Sequence, residues 1–140
     1  MKKLNLFLSA SALGVIAFLF FSFAVPQQKS SKPWNVPDNY LKMKNPQAAG
    51  DAEMVKLGKM LYAKHCRACH GSTGKGDGVK AAQLDTPMID FSTEAFHKQA
   101  DGELYYKSFV GMDEMPNFEK KIVDDEERWA IITYMRATFK

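Results

Sequence analysis

At 140 residues the chain has room for one domain, and it carries 25% charged side chains, three histidines, two cysteines and a formal net charge of +3. That charge is unevenly placed: residues 1–24 hold two lysines and no acid, 25–50 four lysines against one aspartate, and 51–140 13 basic against 15 acidic side chains. A slightly acidic folded part behind a basic stalk offers no basic face and argues against nucleic acid as a partner.

The amino end reads Met1-Lys2-Lys3 and is then apolar from Leu4 to Val25, broken by Asn5 and scattered Ser and Gly, which is the pattern of an export signal. Ser22-Phe23-Ala24 supplies small residues ahead of a cleavage position, yet as a helix this apolar run would span about 33 Å, enough for a hydrocarbon core of about 30 Å. Residues 1–25 are therefore expected to be a signal peptide or a transmembrane anchor. Lys2 and Lys3 favour a cytoplasmic amino end, against Lys29, Lys32, Lys42 and Lys44 on the far side. Residues 26–50, with four prolines and little periodicity, read as an extended Pro-rich tether. Trp34 and Tyr40 do not suit a featureless linker; they either pack on the domain flank or touch a partner subunit or lipid headgroups.

The folded domain is expected over residues 51–140. Asp51 is placed to cap a helix from about Ala52 to Lys64, with Met54, Gly58, Leu61 and Tyr62 at helical intervals. Gly58 inside it weakens the helix unless another helix crosses closely there. The helix delivers Cys66-Arg67-Ala68-Cys69-His70, a C-x-x-C-H motif by which proteins hold a c-type haem covalently. Two thiols three positions apart lie on about one helical turn and can reach both vinyl groups of one porphyrin edge. His70 then becomes the proximal iron ligand. A zinc site would need a second Cys/His pair and a thioredoxin-like dithiol a strand upstream; the sequence has neither.

The loop Gly71-Ser72-Thr73-Gly74-Lys75-Gly76-Asp77-Gly78 is not a phosphate loop, because Gly76 rather than Ser or Thr follows Lys75 and a helix precedes it. Ser92 to Lys98 and Asp101 to Val110 read as short helices, the second ended by Gly111. Asp124 and Glu127, at capping-box spacing, open a last helix with Ile131, Tyr134, Met135 and Thr138 along one face and Arg136 and Lys140 near its negative end. With no convincing strand and no second haem motif, the fold class is all-α.

Over residues 51–140 the chain resembles the monohaem class I c-type cytochromes. That family sets a glycine eight residues and an aromatic four residues before the first haem cysteine, where Gly58 and Tyr62 stand; the glycine loop after His70 is similar to a bacterial form, and Met115-Pro116 followed by a helix with Tyr134 matches the family's end. The resemblance implies a cytochrome c fold, with first and last helices crossing around one haem c attached through Cys66 and Cys69, and Tyr134 and Ile131 against Gly58 and Tyr62. It implies iron ligation by His70 and Met115, with Met112 the competing thioether and Met88 a poorer one, and a Pro87 carbonyl accepting the N–H of the proximal imidazole. Covalent haem attachment in such proteins takes place outside the cytoplasmic membrane, so a periplasmic domain is expected, anchored or soluble. The function implied is electron transfer between redox protein partners, as a carrier rather than an enzyme. Alternatives are a fixed relay in a larger membrane oxidoreductase complex and, further off, a haem enzyme or gas sensor with an open sixth site. His65 and His97 read as surface histidines. Lys56, Lys59, Lys75, Lys80, Lys120 and Lys121 are either a docking ring around the haem edge or an ordinary solvated face.

Overall fold

A computed structural model describes residues 32–140; the apolar amino-terminal segment lies outside the described residues. The elements in order are α1 (Asp38–Leu41), α2 (Ala52–His65), α3 (Arg67–His70), a 3-10 turn (Ala81–Gln83), α4 (Glu94–His97), α5 (Asp101–Tyr105) running into a π-helical turn (Tyr106–Val110), and α6 (Asp125–Thr138). Among the described residues there is no β-strand, only an isolated antiparallel bridge between Met112 and Met115. The all-α expectation holds.

Both long helices begin where their caps place them. The Asp51 carboxylate accepts from Glu53 N and Met54 N at 3.0 and 3.1 Å, filling orphan donors of the first turn of α2. Asp124 accepts from Glu126 N at 2.8 Å and so opens α6. The two helices form the main packing contact of the fold, crossing at Gly58. A Cβ on Gly58 would overlap the Ala130 carbonyl and the Tyr134 Cβ, so the glycine sets how closely the helices approach. Tyr62 packs on Tyr134 with ring centroids 5.4 Å apart, as the resemblance implies.

Helix α6 is buried continuously from Trp129 to Met135, more than the single apolar face read from its sequence. It is buried all round because α2 lies on one side and α5 and the chain that follows α1 lie on others. Thr138, expected on the buried face, is exposed, and Phe139 just beyond the helix folds inward instead, against Tyr62, Phe91 and Tyr134. Arg136 does more than face the helix dipole: its guanidinium donates to the carbonyls of His97 and Gln99 and to Asp101, tying α6 to the α4–α5 corner. His97 is likewise not free in solvent; its Nε2 lies 2.6 Å from the Phe139 carbonyl.

The described part of the expected tether does not stand off the domain. Residues 32–47 lie along it as a strap. Trp34 meets Tyr106 edge-on, with Lys107 over the indole ring, and Tyr40 packs on both Tyr105 and Tyr106. The backbone at Tyr40 comes so close to Gly102 that a side chain there would collide with its carbonyl. Asn45 then donates from Nδ2 to Thr133 Oγ1 at 2.9 Å and from its backbone to Asp101 at 3.3 Å, and the exposed Lys32 ammonium pairs with Asp113 at 3.2 Å. The aromatic residues that did not suit a linker are what hold this segment down. Pro37, in an extended conformation, leads into α1, and the side chains on either side of it supply the packing.

Candidate haem site

The C-x-x-C-H turn is built from the end of α2. Cys66 closes α2 by donating its N–H to the Tyr62 carbonyl at 2.9 Å, and its own carbonyl accepts from Cys69 N and His70 N. The chain bends there, makes the single turn α3, and is stopped by Gly71 at φ 79°. The glycine loop then folds back over the turn: Gly76 N donates to His70 O, Gly78 N to Cys69 O and Lys80 N to Ala68 O. Gly78 sits so tightly on the Arg67 and Ala68 carbonyls that no side chain fits there, so the glycines serve backbone packing on the turn.

Tyr62, four residues ahead of Cys66, donates its hydroxyl to the buried Gly71 carbonyl at 2.8 Å. Burial, and after it the nearby Cys66, raises the pKa of this phenol, so the hydroxyl stays a donor. Replacing Tyr62 by phenylalanine is expected to leave that carbonyl unsatisfied at a cost of about 1–3 kcal/mol, measured by denaturant titration; a variant as stable as the wild type would show that the bond adds nothing.

The His70 ring is 9% exposed and lies face to face with Phe91 at 4.7 Å. Burial lowers its pKa to about 4, so the imidazole is neutral at neutral pH, the state in which a nitrogen can bind a metal. Its Nδ1 is buried with no hydrogen-bond partner. A satisfied core histidine would not leave such an atom orphaned, so this ring fits one positioned for a group beyond the protein's own atoms. Cys66 and Cys69 are free and half-buried, and burial, with Cys69 adding to it, pushes the Cys66 thiol up to about 12. That is opposite to the depressed value a disulfide-exchanging cysteine needs. Among the described residues no three His, Cys, Asp or Glu side chains converge as the donor set of a metal ion. Two free cysteines on one turn with a neutral buried imidazole therefore fit a covalently held haem better than a zinc ion.

Met115 comes from the opposite end of the domain sequence. The π-helical turn after α5 ends at Gly111, and Met112 and Met115 exchange backbone bonds at 2.9 and 3.0 Å across a tight turn with Asp113 at φ 52°. Met115 is half-buried and packs against the same core cluster as Cys66. Met112 is also half-buried, and its backbone pairs with Met115. His65 is half-buried, edge-on to Phe118, with its pKa lowered by burial and then by Lys64 and Lys121.

Pro87 lies on the segment that follows the glycine loop. Its carbonyl does not accept from His70, whose Nδ1 has no partner. The reason lies in how its segment is held: Asp85 N and Thr86 N donate to Glu114, and Met88 packs where a Gly76 side chain would be, which leaves Pro87 exposed. It lines, with Gly76, Ala81, Ala82, Leu84, Thr86 and Met88, an open depression of about 360 Å³. Met88 thus lies, through its Cβ, against the glycine loop. Sequence reasoning missed Glu114 and Phe91. The charge of the first hid its role, and only the fold brings the second onto His70.

Crossed first and last helices around a C-x-x-C-H turn define a c-type cytochrome domain. Residues 53–135 match the family described as cytochrome c oxidase, cbb3-type, subunit III, and the chain belongs to that family. It is also similar to the cytochrome bc1 complex cytochrome c subunit of Corynebacterium diphtheriae, at 24% identity over 136 residues, 97% of this chain and 46% of that protein. The same-named subunit of Corynebacterium efficiens is 26% identical over 84 residues, 60% of this chain and 26% of that protein. The chain thus spans less than half the length of these curated relatives.

Proposed function

We propose that this chain is an electron carrier that holds one haem c through Cys66 and Cys69, with His70 and Met115 as the axial ligands. The observation that carries the reading is the buried, neutral His70 with its orphaned Nδ1, on the same turn as two free cysteines. Bound there, the haem supplies an iron centre that accepts and releases single electrons. The residues do the rest: His70 is fixed by Phe91 and by the loop folded over its turn, so its ring need not reorient on electron transfer. With Met115 in the sixth position no site is left for a substrate, which favours a carrier over an enzyme. Lys75 and Lys80, exposed on the loop that follows the haem motif, offer positive charge to a donor or acceptor, and such encounters are small and brief.

The reading extends to a place outside the cytoplasmic membrane, with residues 1–25 as anchor or export signal and residues 51–140 as the haem domain. The likeness to subunits of a bc1 complex and the strap over residues 32–47 support a fixed relay in a membrane respiratory complex over a freely swinging shuttle. Mild-detergent extraction tests this part: a relay leaves the membrane with its partners, a shuttle alone.

The optical spectrum tests the carrier reading itself. The purified protein, oxidised, reduced, and reduced under carbon monoxide, is expected to show low-spin c-type haem that ignores the gas. A prompt shift on adding carbon monoxide would mean an open sixth position and would favour the sensor or enzyme.

A further inference from the structure

Glu114 is exposed, yet both of its carboxylate oxygens are engaged far along the chain: Oε1 accepts from Asp85 N at 3.0 Å and Oε2 from Thr86 N at 2.6 Å. A solvated glutamate gives up rotamer freedom to make such a bridge, and two consecutive amides on one carboxylate form a directional, charge-assisted contact. The turn that carries it is stiff in itself. Met112 and Met115 are cross-bonded, Gly111 at φ 74° lies against the Met115 and Pro116 carbonyls, and Phe118 N donates to Phe109 O at 2.8 Å below the turn. Such a unit tilts as a whole about its base rather than deforming. Glu114 is one residue from the Met115 thioether and reaches across to the 84–88 segment. That segment in turn rests through Met88 on Gly76, whose N–H is bonded to the His70 carbonyl. A continuous line of contacts therefore joins the two sides of the site, and the Glu114 bridge is the link in it made by a side chain from the ligand turn.

We propose that Glu114 is a positioning residue: by bridging the Asp85 and Thr86 amides it holds the Met112–Met115 turn where the Met115 sulfur stays on the iron. The proposal rests on the reading of His70 and Met115 as axial ligands. Breaking the bridge lets the turn tilt away, which weakens ligation without removing the ligand. Lys32, which pairs with the neighbouring Asp113 on the strap side, provides a control that removes a contact of the same turn and spares the bridge.

The experiment compares the haem-loaded wild type with Glu114→Ala, Glu114→Gln and Lys32→Ala. Amide hydrogen exchange at Asp85 and Thr86 reports the bridge, and the sulfur-to-iron charge-transfer band and carbon monoxide uptake report ligation. In Glu114→Ala the two amides are expected to exchange about fivefold faster, the band to weaken, and the reduced protein to take up carbon monoxide. Glutamine, which keeps one oxygen acceptor, should fall between alanine and wild type, and Lys32→Ala should match wild type in all three readouts. Faster exchange in Glu114→Ala with an unchanged band and no gas uptake would overturn the proposal, as would unchanged exchange. A wild type that itself lacks the band and takes up the gas would overturn the Met115 reading, and this proposal with it. If the alanine variant does not fold, the glutamine variant decides: a weakened band supports the brace, and an unchanged one rejects it.

Discussion

Met115→Ala is expected to lower the midpoint potential by on the order of 100 mV, within the span of about 0.8 V that axial ligands set, and to open the iron to carbon monoxide. A thioether is soft and weakly basic, so it favours the reduced iron and raises the potential. Alanine leaves a weaker field or water in its place. The side chain packs against the core that also receives Cys66, and its backbone is pinned on both sides by Met112, so no neighbouring thioether can slide into the vacated position without breaking that turn. Met112→Ala provides the contrast. It removes a half-buried side chain and keeps both backbone bonds, and should leave the potential and the gas response as in the wild type. If Met112→Ala rather than Met115→Ala lowered the potential, the ligand assignment would be reversed.

Gly58→Leu is expected to abolish stable folding. The substituent would overlap the Ala130 carbonyl and the Tyr134 Cβ, and neither belongs to the far end of a flexible side chain. Helix α6 has nowhere to retreat, because Ala130 and Ile132 are 0% exposed and the run from Trp129 to Met135 is buried. Overpacking costs about 1–3 kcal/mol where neighbours can adjust and more where they cannot, against a total stability of about 5–15 kcal/mol for a domain of ordinary size. Because the helix that ends at Cys66 is one of the two forced apart, haem incorporation should fall with it. Far-ultraviolet circular dichroism during denaturant titration checks this, and a variant within about 0.5 kcal/mol of the wild type would mean the crossing is looser than described.

The parts legible in the sequence were those with local causes. Asp51 and Asp124 announce their helices because capping acts over two or three residues, and Gly58 announced a close crossing because a helix interior has little other use for it. The C-x-x-C-H turn needs only five consecutive residues. The rest depends on pairs that no local pattern reveals. Asn45 meets Thr133 at a separation of 88 residues, and Glu114 meets Asp85 and Thr86 at 29 and 28. Prolines and lysines made residues 26–50 look like a spacer, although Trp34 and Tyr40 carry enough apolar surface to hold the described part down. Phe139 stood beyond the last helical repeat and so escaped the periodicity, and the Glu114 bridge that holds the segment ahead of Pro87 has no local signal.

The strap also decides where a pull would be felt. Lys32, where the described residues begin, lies beside Asp113, two residues from Met115, and the chain then runs past Tyr106 and Tyr105 towards α6. Tension drawn through that end would load a weak, exposed ion pair first, next the edge of Trp34, and last the bonds of Asn45. A domain tugged from its amino end would thus peel from the Met112–Met115 turn inward, so that a mechanical disturbance reaches the Met115 loop before the long helices bear any of it.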